Sequence, residues 1–134
     1  MSHVQVNPES LGAPKGYSNG MLTPAGGRVL FVAGQVAWNE KQEVVSEDFA
    51  KQFGQALENV LTVVKAAGGV PEHVARMTIF VTSKDEYVAG LRAVGAEYRS
   101  RMGRHYPAMT LVEIKALLEE GAKVEIEATA VLPA

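Results

Sequence analysis

The chain has 134 residues, within the ~100–200 residues usual for one domain, and is read as a single domain over 1–134. Hydrophobic residues make up 47% and charged residues 21%, with a net charge of −2, which excludes a disordered chain and a surface driven to nucleic acid by bulk charge. There is no Cys, so disulfides, thiol nucleophiles and Cys-ligated metals are excluded, and a reducing compartment, the cytoplasm, is expected.

Residues 1–27 are rich in Pro and Gly and read as loop with one short strand at Gly20–Leu22. The apolar run from Arg28 to Ala33 lies between Gly27 and Gly34 and reads as a buried strand. From Ser46 the period changes. Phe49, Phe53, Leu57, Val60, Leu61 and Val64 line one helical face, with Ser46 as the expected cap and Gly68-Gly69 as the stop. Arg76 to Thr82 alternates, with Met77, Ile79 and Val81 on one face of a strand. Ser83-Lys-Asp-Glu86 is a capping box. It opens a second helix, with Tyr87, Leu91, Val94 and Tyr98 on the buried side and an end near Gly103. Met109–Ile114 and Lys123–Val131 are two further strands; Val124, Ile126, Ala128 and Ala130 face one way, Glu125, Glu127 and Thr129 the other. The order predicts an α+β fold, a mixed sheet with two helices packed on one face. The other face would carry Glu113 or its neighbours with Glu125, Glu127 and Thr129, and is expected to be solvated or to meet another subunit.

His3, His73 and His105 lack metal-ligand spacing, and no serine elbow, phosphate loop or dinucleotide fingerprint occurs. No metal is expected. No segment has the composition of a signal peptide or a membrane span, so no membrane partner is expected either. Glu125 and Glu127 share a strand face and could serve as a general base or position water; spacing alone favours a solvated face. Arg99, Arg101, Arg104 and His105 suit a helix C-terminus or an anion or RNA contact, RNA being disfavoured by the acidic balance of the rest of the chain. Trp38 reads as a subunit-interface anchor.

Taken together, Tyr106-Pro-Ala-Met-Thr-Leu-Val-Glu-Ile114 and Val124-Glu-Ile-Glu-Ala-Thr-Ala-Val131 resemble the Rid family, the YjgF-type reactive intermediate deaminases, also named L-PSP endoribonucleases. Tyr17-Ser-Asn-Gly20, Phe31-Val-Ala-Gly-Gln35, Leu57-Glu-Asn-Val60, Ala66-Ala-Gly68 and Thr78-Ile-Phe-Val81 support the resemblance over nearly the whole chain. It implies a chorismate-mutase-like fold and a homotrimer with the sheets inside and small-molecule clefts between subunits. It also implies hydrolysis of an enamine or imine to a keto acid and ammonia, with no cofactor. Residue by residue, Glu125 matches the glutamate that positions water, Tyr17 the cleft tyrosine and Gly34 a cleft glycine. Three matching positions depart: Met109 stands for the arginine that grips the substrate carboxylate, Ala33 for a serine and Leu111 for a cysteine. All three changes run toward apolar, so the expected ligand differs from the usual 2-aminoacrylate-type acid. The other readings are a non-catalytic small-molecule-binding or regulatory trimer, and a ribonuclease or translation inhibitor that the charge pattern does not support.

Overall fold

Alternating small and β-branched residues in four segments build the main sheet of the computed structural model, which describes residues 3–134. In chain order these are β3 (Arg28–Gln35), β4 (Val74–Val81), β5 (Ala108–Glu113) and β6 (Val124–Leu132). Their spatial order is β3-β6-β4-β5, with β4 and β5 parallel and both other pairs antiparallel. Two earlier strands, β1 (Val4–Val6) and β2 (Gly20–Leu22), form a separate antiparallel ribbon. The expected α+β mixed sheet is therefore observed; β1 is an addition, in a segment read as loop.

Helix α1 (Phe49–Ala66) lays Phe53, Leu57, Val60 and Val64 on the sheet, each at most 2% exposed. Its cap is Asp48, whose side chain accepts from Lys51 N–H at 3.0 Å, and not Ser46. Ser46 lies two residues too early to reach the first turn, and its hydroxyl accepts instead from the N–H of Asp48 at 3.0 Å.

The second helix is broken. Gly90, with non-helical dihedrals, separates α2 (Lys84–Ala89) from α3 (Leu91–Met102). The break turns Leu91 outward, 53% exposed, while Val94 and Tyr98 stay buried and Tyr87 is half-buried. Ser83 caps α2 by accepting from Glu86 N–H at 3.1 Å. The Glu86 carboxylate does not return to the cap; it pairs with Lys123 Nζ at 3.1 Å.

The helices meet the sheet face of Met77, Ile79, Val81, Val124 and Ile126, all buried. Pairing in register puts Met109, Leu111 and Glu113 on that same face, opposite Met77, Ile79 and Val81. Of Glu113 and its neighbours, expected on the open face, Val112 lies there and Glu113 does not; Glu113 accepts from Lys84 N–H at the start of α2, at 2.8 Å. The open face carries Phe31, Thr78, Phe80, Val112, Glu125, Glu127 and Thr129. Phe31 is 79% exposed there.

Two polar side chains tie loops to this frame. Gln52 of α1 is fully buried. Its amide donates to Ser46 O at 2.7 Å and Gly121 O at 2.9 Å, and its oxygen accepts from Lys123 N–H at 2.8 Å, just before β6. Ser18, 1% exposed, holds the N-terminal segment on β5: its N–H donates to Pro107 O at 3.0 Å and its hydroxyl to Tyr106 O.

Candidate functional site

Glu125 projects from β6 onto the open sheet face, opposite Phe80 of β4. Beside it, β3 carries a bulge between Val32 and Gln35. A bulge bends its strand and brings the backbone toward the neighbouring side chain. Here that backbone is Gly34. A Cβ at this position would lie 2.8 Å from Glu125 Cδ and 2.9 Å from Oε2, so only glycine leaves the carboxylate where it is. The Glu125 carboxylate has no hydrogen bond or ion pair among the described residues. Ala33, next in the bulge, is exposed and lines a depression of about 420 Å³ with Phe31, Arg76, Thr78, Glu127 and Thr129. Gly34, Glu125 and Ala33 are therefore brought together.

The remaining expected residues lie elsewhere. Met109 and Leu111 point to the helix side of β5 and pack against the core. Met109 borders a cavity of about 280 Å³ between β5 and the helices, floored by Phe53, Tyr98 and Tyr106. Tyr17 is 40% exposed, between Gly16, which borders the same cavity, and Ser18 on β5. Within one chain, Glu125 and the pair Met109 and Leu111 occupy opposite faces of the sheet.

Tyr98 and Tyr106 stack in the cavity with centroids 5.4 Å apart and planes 5° from parallel. The Tyr98 hydroxyl donates to His105 O, and burial pushes its pKa far up, so the phenol stays neutral. Tyr87 is also shifted up by burial.

The basic stretch at the end of α3 divides. Arg101 is bound to Glu97 at 2.7 Å and to Glu58 at 3.1 Å, and His105 Nε2 lies 2.7 Å from Val74 O. Arg99 instead borders the cavity, as does Lys15 from the N-terminal segment. The sequence alone marks neither as a cavity residue. A basic residue at spacing four from Gly95 was the available signal, because glycine inside a helix leaves room above it. Among the described residues, no group of three or more His, Cys, Asp or Glu side chains could hold a metal. No helix among them is long and apolar enough to cross a membrane. Trp38 is half-buried in a turn that pairs it with Val44, its carbonyl accepting from Asn59 Nδ2 at 3.0 Å.

Comparison with known proteins agrees with the fold. Residues 8–132 match the family described as Endoribonuclease L-PSP. The 2-iminobutanoate/2-iminopropanoate deaminase of Salmonella typhimurium is 34% identical over 108 residues, covering 78% of this chain and 80% of the relative. The Rid-family protein YyfB of Yersinia pestis, of unknown function, superposes with a TM-score of 0.85 at 33% identity, covering 98% of this chain and all of that one. E. coli TdcF with bound serine superposes with a TM-score of 0.67 at 28% identity, covering 91% and 92% of the two chains. The chain belongs to the endoribonuclease L-PSP family, that of the Rid or YjgF-type proteins.

Proposed function

We propose that this protein is a cytoplasmic deaminase that hydrolyses an enamine or imine other than the small 2-aminoacrylate-type acids, in a homotrimer whose clefts lie between subunits. The observation that carries the reading is the unpartnered Glu125 carboxylate packed over the Gly34 backbone. A carboxylate free of protein partners can take a proton from water. The water oxygen bonds to the C=N carbon and its proton passes to Glu125. Glu125 returns that proton to the nitrogen, the hydroxyl gives up its own proton as the C–N bond breaks, and ammonia leaves a carbonyl product; an enamine first takes a proton at its β-carbon to become the imine. Glu125 and the pair Met109 and Leu111 face apart in one chain, so a second copy is needed to bring them to one ligand. The deaminase name of the Salmonella relative supports the chemistry. Met109 supports a changed substrate, since a thioether cannot replace a bidentate cation on a carboxylate.

The test is imine hydrolysis, with imines generated from a panel of amino acids by an amino-acid oxidase. Glu125→Ala should lower turnover about 10²-fold or more, the range of a lost general base, with an unchanged sedimentation mass of three subunits. Unchanged turnover would sink the role of Glu125, and a single-subunit mass would sink the shared cleft.

A second reading rests on Met109 alone: the protein binds a small molecule without transforming it. Ligand-dependent stabilisation with no imine turnover across the panel would favour it.

A further inference from the structure

We propose that the cavity between β5 and helices α2 and α3 binds a small organic acid with an aromatic or bulky apolar body, its carboxylate held by Arg99. This deepens the deaminase reading and rests on it, because it names the class of substrate that the Met109 pocket takes. The floor is apolar and rigid: Phe53, Met109 and the stacked pair of Tyr98 and Tyr106. A flat ring or branched chain gains contact there without ordering loose side chains. The volume, about 280 Å³, sits at the small end of ligand sites and suits a metabolite.

The charge at the rim is one-sided. Arg99 and Lys15 border the cavity, and no Asp or Glu does. Neither cation has an ion-pair partner among the described residues, and the nearby Glu58 and Glu97 are taken by Arg101. Arg99 is directed by what is missing from α3. A Cβ on Gly95 would stand 2.9 Å from Arg99 Nη1, so the absent side chain leaves the guanidinium room to lie over the helix at the rim. Glycine inside a helix is destabilising against alanine, and here it stands at the position that frees Arg99. An arginine beside an apolar wall, with its fork unoccupied, presents a paired donor set that matches a carboxylate. The cation missing at Met109 is thus supplied from α3, further from β5. That displacement leaves space for a larger body than 2-aminoacrylate has.

The test is calorimetric titration of the intact protein with phenylacetate and with its neutral isostere phenylacetamide. Wild type should bind the acid at least tenfold more tightly, the size of one charge-assisted hydrogen-bonded contact. Arg99→Gln should erase that preference, and Gly95→Ala should reduce it severalfold; melting curves check that both variants fold. Equal affinity for acid and amide, no binding of either, or a preference that survives in Arg99→Gln would each overturn the proposal. A preference lost only in Lys15→Gln would overturn the assignment to Arg99. Titration needs no turnover, so the two readings fail separately. Phenylacetate bound by a protein that hydrolyses no imine overturns the deaminase and keeps the acid site. Imine hydrolysis without preference for the acid does the reverse.

Discussion

Replacing Gln52 by leucine keeps the volume of a fully buried side chain and deletes its three hydrogen bonds. Each such bond is worth ~1 kcal/mol net, and a buried partner left unpaired costs ~1–3 kcal/mol more. Gly121 is exposed and Ser46 and Lys123 are half-buried, so water can reach the freed carbonyls and N–H, and three bonds at ~1 kcal/mol give an expected loss of about 3 kcal/mol. A domain of this kind has only ~5–15 kcal/mol in total, so the variant should be visibly marginal. Urea unfolding at one fixed protein concentration measures it, with the slope expected to stay constant while the midpoint falls. Gln52→Glu, which keeps the acceptor but turns a carboxylate toward two carbonyls, should be no better than leucine. A loss under about 1 kcal/mol in the leucine variant would refute the reasoning and show that the loop before β6 is held by something else.

Three further outcomes are expected. Gly34→Ala requires the Glu125 carboxyl to move about 0.6 Å to reach ordinary contact at 3.4 Å. With ~10²-fold loss for a displacement of about 1 Å, imine turnover should fall about tenfold while stability changes by under ~1 kcal/mol; unchanged turnover would mean that the position of Glu125 is immaterial. Met109→Arg should accelerate pyruvate release from freshly generated 2-aminoacrylate about tenfold or more over wild type; no gain would show that more than the missing cation separates the two pockets. Burial, reinforced by nearby His3 and opposed by Glu72, holds the His73 pKa below its ordinary 6.5. The unfolded chain therefore takes up this proton first as pH falls. The contribution is intact above 6.5 and is lost below it, toward the lower folded value. Urea midpoints across that window should fall in wild type and flatten in His73→Gln.

The periodic segments were legible because burial on one face imposes the period. Phe53, Leu57, Val60 and Val64 mark α1, and Met77, Ile79 and Val81 mark β4, in sequence and structure alike. The short ribbon strand β1 was not, because Val4–Val6 is exposed along its length and carries no burial pattern. Gly90 was invisible as a helix break, since glycine inside a helix is tolerated as often as it interrupts. Asp48 and Ser46 are both good caps, and only the path of the chain decides between them. The site was legible as a set of residues but not as an arrangement. Glu125 and Gly34 meet across β6 and β3 through a bulge that no local signal announces. Met109 and Leu111 fall on the helix side because β5 runs parallel to β4 in that register, a relation between segments thirty residues apart. The sequence marks Arg99 as a helix C-terminus cation or an anion contact, and the room that Gly95 leaves for its guanidinium is visible only in the structure.

The sheet order has a consequence for the making of the protein. Strand β6, which follows the other five along the chain, lies inside the sheet, and among the described residues β3 pairs only with β6. A ribosome adds ~5–20 residues per second, so for several seconds after β3 emerges it faces a chain that cannot yet pair with it. During that interval Val32 on β3 and Met77 and Ile79 on β4 belong to two unjoined edges. Closure waits for residues 124–132, and it then joins contacts about a hundred residues apart, such as Arg28 with Leu132. Long-range pairing of this kind is slow, so β3 and β4 stay unjoined edges until β6 has been made and has closed between them.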